Sequence, residues 1–171
     1  MRIFKEEQRF NQTWIIALIL ISMLVTLGII LGTYIKDPNS FSTTELLAII
    51  GTLILASGII FIFKLSTRID EKGIHYKFFP FHWSYKIITW KDLNKAYIRK
   101  YDALSEYGGW GLKGGALWNK AKGKAINVSG DVGIQLELKN GKKLLIGTQK
   151  QEDASNTIAN YKEKLKKEDN V

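Results

Sequence analysis

No cysteine occurs in this sequence. Disulfides, Cys-ligated zinc and a thiol nucleophile are therefore excluded. Histidine is nearly as scarce: His75 and His82 stand seven residues apart, without the HExxH pattern of a helical zinc site. A Ser/His/Asp set is equally unsupported. Ser129 and Asp131 fall in Val128-Ser129-Gly130-Asp131, which reads as a turn between strands. A catalytic centre is not expected, and neither a metal nor a cofactor is implied.

Charge is missing from two long stretches. Thr13 to Ile35 and Leu46 to Phe63 contain no Asp, Glu, Lys, Arg or His. At ~1.5 Å per residue they make helices of about 35 and 27 Å, against a hydrocarbon core of ~30 Å. Buried helices of small soluble domains are rarely this long and apolar on every face. The expectation is a transmembrane hairpin: segment 1–12, helix 13–35, an external loop 36–45, helix 46–63, then one domain over 64–171. Transport needs ionisable groups at membrane depth. Without them the hairpin reads as an anchor.

The net charge of +9 sits almost wholly after residue 63. Arg2, Lys5 and Arg9 precede the first apolar run, Lys64, Arg68 and Lys72 follow the second, and Lys36 alone lies between. The positive-inside rule then puts both termini in the cytoplasm of a multi-pass inner-membrane protein. A cleaved signal peptide would reverse this, but the first run exceeds the usual ~7–15 apolar residues, and Leu31-Gly32-Thr33-Tyr34 lacks an A-x-A site.

Trp14 and Tyr34 mark the two ends of the first run, at headgroup level. Gly28 and Gly32 form a small-xxx-small pair. It fits packing within the hairpin or dimerisation, and both readings stand. Met1 to Gln12, charged with Phe4 and Phe10 among the charges, reads as a fragment of interfacial helix or a frayed start.

Beyond residue 63 the period changes from helical to twofold. Strands are expected at 64–69, 74–79, 84–89, 95–101, 125–128, 132–138 and 142–147, with a helical turn at Trp90-Lys91-Asp92-Leu93 and a hairpin turn at Asn140-Gly141. The last element is a helix over 151–166. Ala154, Ile158, Tyr161 and Leu165 form its apolar stripe, and Thr148 its cap. About seven antiparallel strands closed by a C-terminal helix is the plan of a pleckstrin-homology-like half-barrel in an α+β membrane protein.

The segment Ile87-Ile88-Thr89-Trp90-Lys91-Asp92-Leu93, followed by a strand, a hairpin and a terminal helix, resembles bacterial PH-like domains that follow membrane helices. Three further segments resemble a family of small bacterial membrane proteins without an established function. They are Phe78-Phe79-Pro80-Phe81-His82, Tyr107-Gly108-Gly109-Trp110-Gly111-Leu112-Lys113 and Leu144-Leu145-Ile146-Gly147-Thr148-Gln149-Lys150. The resemblance implies a fold and a membrane location, and supplies no catalytic residues.

Two stretches are candidates for function. In the first, Tyr107, Gly108, Gly109, Trp110, Gly111 and Lys113, with Trp118 and Lys120 downstream, make a glycine-rich basic-aromatic segment. It reads either as a loop gripping a partner or acidic headgroup, or as a bulged strand whose Trp packs inward. It is not a P-loop, because the Gly-Lys-Ser/Thr ending is missing. In the second, Phe79, Phe81 and Trp83 form an aromatic tip between Lys77 and Lys86. Aromatics flanked by lysines suit the bilayer interface, and packing within the domain is the other reading. The expected function is a non-catalytic scaffold on the cytoplasmic membrane face, engaging the bilayer and a protein partner or second copy. A sensor of anionic headgroups is the alternative. Nucleic acid and small-molecule substrates are not expected.

Overall fold

A computed structural model of the protein describes residues 3–114 and 123–168. The chain divides into two compact units, Phe10–Phe63 and Met1–Arg9 together with Lys64–Val171. Trp118 and Lys120 lie outside the described residues.

The first unit is a helical pair. Helix α1 spans Thr13–Lys36. Helix α2 spans Thr43–Gly58 and tightens into a 3-10 turn over Ile59–Ile62. Both are long and apolar enough to cross a membrane, and no residue in either is buried. Helix α2 begins three residues before its apolar run because Ser42 and Glu45 form a reciprocal capping box. The Glu45 N–H donates to Ser42 Oγ (3.2 Å) and the Ser42 N–H to Glu45 Oε2 (2.8 Å). At the other end Phe10 meets Phe63 edge to face at 6.3 Å. Gly28 and Gly32 face open space, so the helices do not approach closely there.

The second unit opens with a strand. β1, Phe4–Arg9, precedes α1 in sequence and pairs antiparallel with β2, Lys64–Asp70, from Phe4↔Ile69 to Arg9↔Lys64. The expectation of an interfacial helix or frayed start over 1–12 is thereby corrected. β1 alternates as a strand should, with Phe4, Glu6 and Gln8 buried and Lys5, Glu7 and Arg9 exposed. β3, Gly73–Phe79, and β4, Lys86–Thr89, complete an antiparallel sheet in the order β1-β2-β3-β4.

A 3-10 turn, Trp90–Asp92, leads to β5, Leu93–Lys100. Then come a short helix α3, Ala103–Tyr107, and strands β6, Gly111–Gly114, β7, Lys124–Asn127, β8, Val132–Leu138, and β9, Lys143–Gly147. They form a second sheet in the order β5-β8-β9-β7-β6. Among the described residues there are thus nine strands rather than seven. The pairing of β7 with β9 is parallel. β9 lies between β7 and β8, and chain direction reverses from β7 to β8, so that rung cannot be antiparallel.

Helix α4, Gln151–Glu168, rests on strands of both sheets: β1 and β2 of the first, β5 and β8 of the second. Ala154, Ile158 and Tyr161 are buried as the stripe requires, and Tyr161 stacks on Trp90 at 5.6 Å. The core beneath is Leu65, Ile69, Ile74 and Phe78 from the first sheet, with Ile134, Leu136 and Ile146 from the second.

Glu6 and Gln8 explain how an N-terminal strand is held there. Both are buried. The Glu6 carboxylate accepts from Thr148 Oγ1 (2.6 Å) and the Gln149 N–H (2.7 Å), just before α4. Gln8 Nε2 donates to the Gly147 carbonyl at 2.8 Å. Thr148 Oγ1 in turn accepts from the Lys150 N–H at 3.1 Å. The expected cap is therefore also the partner of β1.

Since Arg9 and Lys64 are register partners, replacing residues 10–63 by Asn-Gly should join β1 to β2 through a two-residue turn and give a soluble domain with one cooperative melting transition. The fragment starting at Lys64 should melt lower or fail to fold. In the joined domain Glu6→Ala should cost roughly 2 kcal/mol by chemical denaturation, because two donors lose a charged acceptor. A Lys64 fragment as stable as the joined domain would refute this account of β1.

Candidate functional site

The glycine-rich segment folds as a corner between α3 and β6. Asp102 starts it as the N-cap of α3, accepting from the Leu104 and Ser105 N–H groups at 2.9 Å each. Those bonds, that to Ser105 foremost, hold its carboxyl below the usual carboxylate range. Gly108 ends α3 in the left-handed region, at φ 72°, and its N–H returns to the Leu104 carbonyl at 2.9 Å. Gly109 and Gly111 also take positive φ, 116° and 113°. The backbone thus swings Trp110 back over the domain and straight into β6.

Tyr107 is buried, not presented to a partner. Its ring meets Tyr101 edge to face at 6.0 Å, and its hydroxyl accepts from Arg99 Nη2 at 2.9 Å. Arg99 also grips Glu106 through both terminal nitrogens (2.9 and 3.2 Å) and donates from Nε to Gln135 at 2.9 Å. Buried Asn127 ties the other side. Its Oδ1 accepts from the Gly111 N–H at 2.9 Å and its Nδ2 donates to the Tyr101 hydroxyl at 3.0 Å. Burial pushes the Tyr101 phenol up to about 12. The Tyr107 phenol is raised for the same reason. Both stay protonated at neutral pH and act as hydrogen-bonding braces. Half-buried Trp110 packs against Tyr101, Ala103, Tyr107, Ala125 and Leu145. A shallow cavity of about 430 Å³ opens beside it, with exposed Leu104 on the rim.

Of the glycine-rich candidates, the structure thus brings together Tyr107, Gly108, Gly109, Trp110 and Gly111 as an inward-packed corner. Lys113 follows on β6, half-exposed and opposite Ala125. The inward-packing reading accounts for the first five of the six described candidates, Lys113 being the sixth. Arg99, Glu106, Asn127 and Gln135 brace this corner and were not singled out in the sequence. The available signal was a polar residue at an inward strand position, as with Asn127.

The aromatic candidates lie elsewhere. β3 ends at Phe79, opposite Lys64, and the connection from Pro80 to Tyr85 follows. Phe81 and Trp83 are 60% and 80% exposed, although Phe81 stacks on Phe78 (5.9 Å) and Trp83 meets Phe79 edge to face (5.6 Å). The turn is closed by buried His82. Its N–H donates to the Phe78 carbonyl (2.8 Å) and its Nδ1 accepts from the Phe78 N–H (3.2 Å). Burial, with repulsion from Lys86, lowers the His82 pKa and keeps the ring neutral. Trp14 is exposed at the start of α1 and Tyr34 half-exposed near its end.

The outer face of the first sheet is cationic. Strand alternation and register place Lys5 and Arg9 of β1, Lys64 and Arg68 of β2, and Lys77 of β3 on it. Two acids answer them: Glu7 pairs with Lys64 at 2.7 Å, and Asp70 with Arg68 at 2.8 Å. Burial alone would raise the Asp70 carboxyl. Hydrogen bonds from His75 and the Lys72 N–H, with the Arg68 charge, outweigh it and hold the group low.

No family model matches this sequence, and no curated protein is significantly similar to it.

Two measurements check these geometries. Asn127→Ala should cost roughly 2 kcal/mol and speed hydrogen exchange at the Gly111 amide, because that N–H and the Tyr101 hydroxyl lose their partner. An unchanged Gly111 exchange rate would contradict the bracing role. For His82 the folded pKa lies below the ordinary 6.5. Its contribution is full above pH 6.5 and is lost as pH falls through the lowered value. The melting temperature should therefore drop on acidification from pH 7 to 5. The drop should shrink in His82→Asn, whose amide oxygen offers Phe78 an acceptor that does not titrate. An equal drop in both proteins would overturn the assignment.

Proposed function

We propose that this chain is a membrane-anchored interaction module. The helical pair crosses the bilayer as a two-span hairpin. The strands and α4 form a PH-like domain on the cytoplasmic face, which scaffolds a protein partner or a second copy without catalysis.

The observation that carries this reading is the place of the hairpin. Two helices without a buried residue interrupt the connection between β1 and β2, strands that pair along their whole length. An apolar insertion of that kind has no use inside a water-soluble fold. Pairing of β1 with β2 requires both ends of the hairpin to emerge on one side, which fits an even number of spans. The bases near those ends, Lys5, Arg9, Lys64, Arg68 and Lys72, then share that side, against Lys36 on the other. The positive-inside rule favours the cytoplasm for it. Cleavage of α1 as a signal would also remove β1, so Phe4, Glu6 and Gln8 in the core support a retained helix. A four-stranded antiparallel sheet, a second sheet and a helix lying on both support the PH-like assignment.

The cationic outer face of the first sheet favours a second reading, sensing of anionic headgroups, at ~1 kcal/mol per base close to the surface.

The absence of cysteine makes the topology directly testable. In intact cells a membrane-impermeant maleimide should label Ser40→Cys, in the α1–α2 loop. It should reach Lys72→Cys, in the β2–β3 turn, only after permeabilisation. Labelling of both positions in intact cells, or of Lys72→Cys alone, would sink the proposal. Binding of the joined soluble domain to anionic but not neutral vesicles, lost on charge reversal at Arg9 and Lys77 and in high salt, would favour headgroup sensing over scaffolding.

A further inference from the structure

We propose that the Pro80–Tyr85 connection is a third membrane contact, in which Phe81 and Trp83 seat in the headgroup layer of the bilayer that the hairpin crosses. This rests on the membrane-spanning reading above.

Exposure makes the first point. Phe81 at 60% and Trp83 at 80% are followed by Tyr85 and Ile87, also exposed. Adjacent exposed rings on one turn mark a surface meant to be covered.

Rigidity makes the second. The tip is not a loose loop that happens to lie open. The reciprocal Phe78–His82 hydrogen bonds close it, and Phe78 and Phe79 buttress Phe81 and Trp83 from behind. Its rings are held in their outward position before anything binds, so little ordering cost remains to be met on contact.

Place decides the occupant. Arg9, Lys64 and Phe79 are successive register partners across β1, β2 and β3, and so form one rung at one end of the first sheet. At that rung the chain leaves for α1 and returns from α2. Neighbouring strands are ~4.8 Å apart, so Phe79 lies about 10 Å across the sheet from Arg9 and half that from Lys64. Lys64 stands two residues beyond the last residue of the apolar helical run, Ile62, a reach of at most ~7 Å. The aromatic connection therefore begins within about 12 Å of the helix end, whatever the tilt of the hairpin. The opposite end of the same sheet carries the β2–β3 turn with Glu71 and Lys72, a strand length of ~20 Å away.

Chemistry agrees. Trp and Phe flanked by Arg9, Lys64 and Lys86 match the interfacial zone, where rings sit among headgroups and cations meet phosphates. Exposed rings on a closed turn suit a lipid surface better than a soluble ligand, which calls for a concavity.

The test uses the full-length protein in nanodiscs containing anionic lipid, with one nitroxide per variant at Leu24→Cys, Glu71→Cys or Ser84→Cys. Ser84 adjoins Trp83 and leaves both rings in place. Collisions with oxygen, which partitions into lipid, and with a water-soluble nickel chelate report depth. The label at Leu24→Cys, midway along α1, should read as hydrocarbon and that at Glu71→Cys as water. The label at Ser84→Cys should meet the nickel chelate roughly threefold less often than the one at Glu71→Cys, as expected for the headgroup zone. Adding Phe81→Ser and Trp83→Ser should return it to water. If Leu24→Cys reads as hydrocarbon but Ser84→Cys matches Glu71→Cys, the third contact is wrong while the hairpin stands. A Ser84→Cys label shielded from both reagents would mean that protein, such as a second copy, covers the tip, and would also overturn the proposal. Leu24→Cys in water would remove the membrane reading and the contact with it.

Discussion

The buried carboxylate of Glu6 is what makes the sheet-bearing unit one body. An acid in a core is costly unless its oxygens are met by donors. Here a hydroxyl and a backbone N–H meet them, both at the approach to α4. That bond set joins a strand from the first ten residues to the second sheet and to the helix lying on both. Gln8 repeats the join one rung on, at the Gly147 carbonyl. The β2, β3 and β4 ladder builds outward from the strand so fixed. Without these two side chains β1 would keep its edge pairing to β2, the Glu7–Lys64 ion pair and the burial of Phe4.

The same side chains explain why β1 could not be read from the sequence. A half-buried strand is recognised by apolar residues at every second position. In Phe4–Arg9 the inward positions after Phe4 are Glu6 and Gln8, so the alternation is present in burial and absent in hydropathy. Where inward positions are apolar, legibility was good. Ile134, Leu136 and Leu138 announced β8, Asn140-Gly141 announced its hairpin, and Ala154, Ile158 and Tyr161 announced the docking face of α4. Strand β6 was hidden by its glycines, and α3 by its shortness, since five residues carry no period. The parallel β7–β9 rung was hidden because a short connection between β7 and β8 suggests a hairpin.

The glycine-rich corner shows how an unusual composition can arise from packing alone. Gly108 is needed to stop α3 and Gly111 to turn the chain into β6, and Trp110 between them is drawn over two tyrosines. The aromatic tip is the opposite case. Its composition is less unusual, yet its rings remain outside after every hydrogen bond that closes the turn has been made. Of the two, the tip retains unspent apolar surface, and the corner retains only the rim of one shallow cavity.

Placing the hairpin inside the β1–β2 connection also has a consequence for assembly order. β1 leaves the ribosome before β2 and cannot pair until β2 follows, after the whole apolar insertion has been made. Closing that long loop delays the first rung of the sheet. A chain whose first helix inserted without the second would leave its two halves on opposite faces of a bilayer, with β1 out of reach. Glu6 and Gln8 would then have no partners, and Thr148 and the Gly147 carbonyl would be left open. On the proposed two-span reading, the domain closes only around a completed hairpin, and one and the same strand pairing checks membrane topology and native structure.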